Sequence, residues 1–183
     1  TNNSLTLLGL LDDVLDLSRL EAGMDKVFLS ECDLHFLVHS MLDIGRLNVA
    51  QGVKLINEGP QEELWVMTDE VKLTKVFMNL IGNAKKFTTQ GHIVVGAKIT
   101  SDNVWVECWV KDTGMGISPE NLEHIFDRFY KVNEFKQGTG LGLSICGAII
   151  ELLEGQIWVE STLGEGTTFY FRIPYQKPKE EGI

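Results

Sequence analysis

Asn79 and Asn83 stand four residues apart, and Lys86 follows three residues later. On a helix this spacing puts all three on one face. The stretch that carries them, NLIGNAKKFT, belongs to an otherwise strongly apolar helical pattern. A pair of amides there reads in two ways: as a plain polar face, or as neutral, hard oxygen ligands. The second suits Mg²⁺ that already holds phosphate oxygens, because Mg²⁺ takes oxygen ligands and keeps several waters. Lys86 would then add a point charge for phosphate.

Three glycine-bearing segments follow. Asp112-Thr113-Gly114-Met115-Gly116-Ile117 comes directly after a strand pattern. A carboxylate at a strand end can accept a hydrogen bond from an exocyclic amine such as that of adenine, and two glycines let backbone approach a flat base; a tight turn explains the same residues. Gly138-Thr139-Gly140-Leu141-Gly142-Leu143 leads into a helical pattern. Backbone N–H groups and the positive dipole end there can face an anion. It is not a Walker loop, since the GK[ST] ending is missing, and the dinucleotide spacing lacks its final glycine. Gly164-Glu165-Gly166-Thr167-Thr168-Phe169 lies between the last two strand patterns and reads equally as a hairpin turn.

These residues need elements to hold them. Apolar periodicity predicts helices over 4–22, 33–50 (with Asp33 as N-cap), 69–86, 119–126 and 141–154. Strands are expected over 26–32, 53–57, 64–67, 92–100, 103–111, 156–161 and 167–173, with 92–111 forming a hairpin through Thr100-Ser101-Asp102. A polar loop without periodicity covers 131–140. Residues 175–183 bury little and are expected to be disordered. This order predicts an α+β fold, a two-layer α/β sandwich with a mixed, mainly antiparallel sheet and helices on one face, plus an N-terminal helix. In that first helix Leu7, Leu8, Leu11, Val14 and Leu15 form a stripe, with Asp12, Asp13, Asp16 and Arg19 largely elsewhere. Such a stripe suits a helical bundle or a dimer seam; the alternative is a helix folded back on the main domain.

Composition narrows the function classes. The 183 residues suit one globular domain with a short appendage. Hydrophobic residues make up 44% and charged residues 23%, an ordinary balance for a soluble fold. No apolar run approaches the ~18 residues that a membrane span needs. The net charge of −10 argues against direct nucleic-acid binding, because a polyanion needs a basic surface. It also means that any phosphate site must attract its ligand locally. Cys32, Cys108 and Cys146 are widely spaced and read as reduced thiols. His35 and His39 sit one helical turn apart with no evident third metal ligand, so they read as a solvated face.

Taken together and in this order, NLIGNAKKFT, DTGMGI, IFDRFYK, GTGLGL and GEGTTF resemble the catalytic domain of sensor histidine kinases, a branch of the Bergerat-fold ATPase superfamily shared with gyrase, Hsp90 and MutL. The resemblance covers roughly residues 26–174, and LLDDVLDLSRLEAG before it looks like the end of the second helix of the dimerisation and phosphotransfer domain. It implies residues 1–24 from that helix, an ATP-binding catalytic domain over 25–174 and a tail over 175–183. It implies ATP and Mg²⁺ as cofactors. Asn83 would bind the metal. Asn79 falls where gyrase relatives carry a water-activating glutamate; an amide cannot act as a general base, which fits a kinase better than a hydrolase. Asn79 and Lys86 would be the catalytic positions, with Lys86 on phosphate. Asp112 would hold adenine beside Gly114, Gly116 and Ile117. Phe126, Phe129 and Tyr130 would anchor a mobile lid over 131–140. Tyr130, Lys131, Gly138, Thr139, Gly140, Leu141, Gly142 and Leu143 would lie along the lid and at its end, and Thr167 near the adenine.

The same resemblance implies a cytoplasmic domain of a parent that can be an inner-membrane sensor and a homodimer. Its partners would be a phosphoacceptor-histidine helical domain, of the same or the partner protomer, and a response-regulator receiver. No segment here resembles the phosphoacceptor box, since His39 is followed by Ser-Met-Leu, so these 183 residues alone are not expected to autophosphorylate. Lys131 replaces the arginine of many relatives and lacks its planar fork. Rival readings are a serine kinase of the anti-sigma-factor type, a gyrase- or MutL-like ATPase, and a nucleotide-binding pseudokinase that acts as an interaction module.

Overall fold

The computed structural model describes residues 2–131 and 139–179, with side chains from residue 7 onward. The chain runs α1 (Asn2–Glu21), β1 (Ser30–Asp33), α2 (Leu34–Arg46), β2 (Val53–Glu58), β3 (Trp65–Thr68), α3 (Glu70–Phe87), β4 (Gly91–Ile99), β5 (Trp105–Asp112), α4 (Pro119–Leu122), α5 (Gly142–Leu152), β6 (Gln156–Thr162) and β7 (Gly166–Pro174). Five strands form one sheet in the order β2-β4-β5-β7-β6. Only β2 and β4 pair in parallel; the other neighbours are antiparallel. The expected α+β sandwich with a mainly antiparallel sheet is therefore the fold observed. β1 and β3 make a separate two-stranded ribbon.

Strict alternation drives the layering. In β5, Val106, Cys108, Val110 and Asp112 point inward, and in β7 Phe169, Phe171 and Ile173 do the same. They meet the buried sides of α2, α3 and α5, where Leu37, Leu42, Leu73, Phe77, Leu80, Ile145 and Ile149 close the core. Phe77 packs edge-on against Phe171, with ring centroids 5.1 Å apart. Asp33 and Asp69 start α2 and α3: their carboxylates accept hydrogen bonds from the N–H groups of His35 and Lys72.

The opposite sheet face carries half-buried aromatic side chains. Trp158 stacks on Tyr170, and the Arg172 guanidinium lies 4.5 Å from the Trp105 ring centroid. Trp109 covers Gly96 so closely that a Cβ there would stand 2.2 Å from the ring. Its indole N–H donates to Glu58 over 3.0 Å.

Several elements differ from the sequence expectation. The strand foreseen over 26–32 begins only at Ser30, because its partner β3 runs out at Thr68 where the chain turns into α3. Residues before Ser30 have no strand to pair with, and the Phe28 N–H donates instead to the Asp69 carboxylate. The helix foreseen over 119–126 stops at Leu122; beyond it His124 and Asp127 close single turns by hydrogen bonds three residues back. The tail is held at its start: the Tyr175 N–H donates to Val104, and the Gln176 carbonyl accepts from Met67. Residues 180–183 lie outside the described residues.

The first helix holds the largest surprise. Leu7, Leu8, Leu11, Val14 and Leu15 face solvent, while Leu17 is buried and Leu20 packs against the core. α1 thus docks on α5 through the side bearing Asp13, Asp16 and Leu17, not through its leucine stripe. No described helix is long and apolar enough to cross a membrane.

Candidate nucleotide-binding site

A cavity of about 380 Å³ opens between α3, the N-terminus of α5 and the two glycine loops that follow β5 and β6. α3 supplies one wall. Its apolar side chains at 73, 76, 77, 80, 81 and 84 enter the core, so helical periodicity turns Asn79, Gly82, Asn83 and Lys86 to the cavity. The buried Asn79 Nδ2 has no hydrogen-bond acceptor among the described residues. The neighbouring Cys146 sulfur, a weak acceptor, does not complete a bond of ordinary geometry. Lys86 places its ammonium 5.0 Å from the Phe87 ring centroid.

The loops make the second wall by close backbone approach. Gly116 has φ +68°, and a Cβ there would stand 2.0 Å from the Thr162 carbonyl oxygen. The Ile117 N–H donates to Ser161 Oγ over 2.8 Å, and Ser161 Oγ lies 2.9 Å from Thr167 Oγ1. In the β5–β7 pairing Asp112 stands opposite Thr167. The segments 112–117 and 162–167 are therefore one stitched unit with Asp112 at its base. The Asp112 carboxylate is buried and accepts the Gly114 N–H over 2.8 Å. Burial pushes its pKa up, and the N–H groups of Gly114 and Thr167 pull the other way. The Thr88 hydroxyl also favours the anion, yet makes no well-aligned hydrogen bond.

The third wall is the start of α5. Gly140 has φ +73°, and a Cβ there would stand 2.9 Å from the Phe129 backbone, so both conformation and space favour glycine. Among the described residues no side chain caps α5, and the Thr139 hydroxyl accepts the Leu141 N–H over 3.1 Å. Helix N-termini leave their first N–H groups without intrahelical partners, which suits an anion. Tyr130 holds its place by donating to Asn121 Oδ1 over 2.7 Å.

Of the residues singled out from sequence, Asn79, Asn83, Lys86, Asp112, Gly116, Ile117, Tyr130, Lys131, Thr139, Gly140, Gly142, Leu143 and Thr167 line this one cavity. Two do not. Leu141 is fully buried behind it, and Gly114 backs onto the Phe87 carbonyl, 2.5 Å from where a Cβ would sit. Gly138, with most of the expected lid, lies outside the described residues. Phe126 packs edge-on against the cavity residue Phe169 with centroids 6.3 Å apart, whereas Phe129 is exposed at φ +60°. Sequence reasoning missed Met78, Gly82, Phe87, Met115, Ile125, Phe169 and Asp13. Gly82 and Phe87 follow from Asn79 and Asn83 by steps of three and four along the helix, and Phe169 from Thr167 by a strand step of two. Asp13 carries no such signal.

Similarity to known proteins agrees with this geometry. The family described as histidine kinase-, DNA gyrase B-, and HSP90-like ATPase matches residues 68–177. The chain is 32% identical over 185 residues to the sensor histidine kinase WalK of Bacillus subtilis, covering 98% of this chain and 30% of that protein. It is 34% identical over 168 residues to the adaptive-response sensory kinase SasA of Crocosphaera subtropica, covering 90% of this chain and 44% of that one. Full-length ShkA, solved in complex with AMPPNP, superposes with a TM-score of 0.86 at 28% identity, covering 95% of this chain and 37% of ShkA. The chain thus spans less than half the length of these relatives. With the family matched across α3, both glycine loops and α5, the chain belongs to the histidine kinase-, DNA gyrase B-, and HSP90-like ATPases and is an ATP-binding catalytic domain of the histidine-kinase type.

Proposed function

We propose that this domain transfers the γ-phosphoryl group of ATP to a histidine on a helical phosphoacceptor domain, as the kinase step of a two-component phosphorelay. The observation that carries the reading is one cavity lined by the α3 amides and Lys86, the Asp112 loop and the uncapped start of α5. In this reading Asp112 accepts the adenine amine, and Thr167 and Gly116 flank the base. Lys86 and the α5 N-terminus take the phosphates.

The donor set suits Mg²⁺ arriving with its nucleotide. No cluster of three or more His, Cys, Asp or Glu residues exists among the described residues, and α3 offers neutral amide oxygens at Asn79 and Asn83. Asn83 would hold the ion, which would supply positive charge to offset that of the phosphates. Asn79 lines the cavity with an amide, which can position a ligand but cannot abstract a proton. The protein's work is positioning and charge stabilisation, with no carboxylate on the cavity face of α3 to activate water. The phosphohistidine would next serve a response-regulator aspartate, and the parent would act as a dimer with its kinase domain in the cytoplasm.

Calorimetric titration of ATP with and without Mg²⁺, on the wild type and Asn83→Ala, tests the site. Binding that needs Mg²⁺ and weakens at least tenfold in the variant is the expected outcome. A supplied histidine-bearing helical domain should then acquire acid-labile, base-stable phosphate. Absence of ATP binding refutes the site. Binding without transfer moves the reading to a pseudokinase, and acid-stable phosphoserine on a supplied protein moves it to a serine kinase.

A further inference from the structure

α1 brings a negative charge into the nucleotide cavity. The Asp13 carboxylate lines it and accepts a hydrogen bond from the Thr139 hydroxyl over 2.9 Å. That hydroxyl in turn accepts the Leu141 N–H at the entry to α5. Asp13 therefore sits, through one hydroxyl, on the electropositive helix end where a phosphate is expected. It is not there alone. Asp16 pairs with Lys75 of α3, Glu21 pairs with Arg128, and Leu17 is buried between them, so the acidic side of α1 is its docking side. Asp13 is the member of that side whose carboxylate belongs to the cavity itself.

We propose that Asp13 is a resident anion standing in for phosphate, so that docking of α1 and binding of a nucleotide polyphosphate oppose one another. This rests on the nucleotide reading above and adds the regulation of that same site. A polyphosphate reaching Thr139, Gly140 and Gly142 meets a carboxylate already bonded to Thr139. Two anions there repel, and the Thr139 hydroxyl has one proton to donate. Occupancy by ATP or ADP loosens α1; a docked α1 weakens ATP and ADP by the same factor, because coupling between two binding events is reciprocal. A nucleoside without phosphates has nothing to compete for and is indifferent to Asp13. α1 thus reads directly whether the cavity holds phosphate.

The test compares ATP, ADP and adenosine binding to the wild-type chain and Asp13→Asn by calorimetry. The amide keeps an acceptor for Thr139 and removes the charge. Asp13→Asn should tighten ATP and ADP about five- to tenfold, the low end for coupled sites, and leave adenosine unchanged. Nitroxide labels on Leu8→Cys and Val71→Cys, both exposed, report α1 docking; ATP should lengthen or broaden that distance and adenosine should not. Unchanged or weaker ATP binding by the variant overturns the inference, weaker binding making Asp13 a ligand-holding residue. An equal change for adenosine also overturns it, since the effect then has nothing to do with phosphate. If the wild type binds ATP normally and only the comparison fails, the nucleotide reading stands; if neither protein binds ATP, both fall.

Discussion

Replacing Asp112 by asparagine separates what this carboxylate costs the fold from what it gives the ligand. In the free protein it is buried, with one good backbone donor from Gly114 at 2.8 Å. Burial is the largest influence on its proton and raises the pKa above the ordinary value of 3.8. A raised pKa means that the stabilising contribution of the protonated form is complete below about pH 3.8 and is lost as pH climbs through the raised value. Asparagine does not titrate. Its single oxygen can keep the Gly114 N–H, so the turn survives. The Tm of Asp112→Asn minus that of the wild type should therefore grow from pH 4 to pH 7, each kcal/mol appearing as about 2–4 °C in a chain of this size.

Binding should move the other way. With the oxygen taken by Gly114, the amide nitrogen faces the adenine amine, donor against donor. Hydrogen bonds to charged groups are worth ~1.5–3 kcal/mol, so ATP and adenosine should both weaken about 10- to 150-fold. Thermal unfolding across pH and calorimetry on the same preparations check both halves. A Tm gap that shrinks with rising pH refutes the burial argument, and unchanged adenosine affinity refutes the position given to the base.

Gly116→Ala must place a Cβ against the Thr162 carbonyl at positive φ; a loss of ~2–4 kcal/mol and a Tm drop of roughly 5–15 °C are expected, and a drop below about 2 °C contradicts it. Phe77→Ala empties the contact with Phe171 and should cost ~3–5 kcal/mol in urea unfolding, with the folded state still binding ATP. Burial pushes the Cys32 and Cys146 thiols up to about 12 and Cys108 higher still, so none should react with a disulfide reagent at pH 8 until urea unfolds the chain; rapid native reaction of any one would show an opening the fold does not contain.

How much of this was legible in the sequence follows from the range of each interaction. The amide face of α3 could be read because Asn79, Asn83 and Lys86 are local neighbours on a helix whose other side is greasy. The β4–β5 hairpin was equally local. The union of the loops after β5 and β6 was readable as motif order, but its cause was not. It lies in register, with Asp112 opposite Thr167 and Gly116 against Thr162. Residues 26–29 look like a strand and fail to be one because the partner strand ends early, a fact written 40 residues away. Asp13 reaches Thr139 across 126 positions, and nothing in a run of acids on a helix says which one will meet a cavity. The leucine stripe marked a face that seeks cover; the chain's own core is met by a different face.

The tryptophans decide how this protein can be watched. Trp105, Trp109 and Trp158 sit on the outer face of the sheet, Trp65 is on the small ribbon, and none lines the cavity. Indole emission will therefore follow the integrity of the two sheets and stay dark to the arrival of nucleotide. A fluorescence melt needs no dye, whereas a fluorescence titration needs a reporter built into the cavity wall, for which the exposed, cavity-lining Met115 is the natural place.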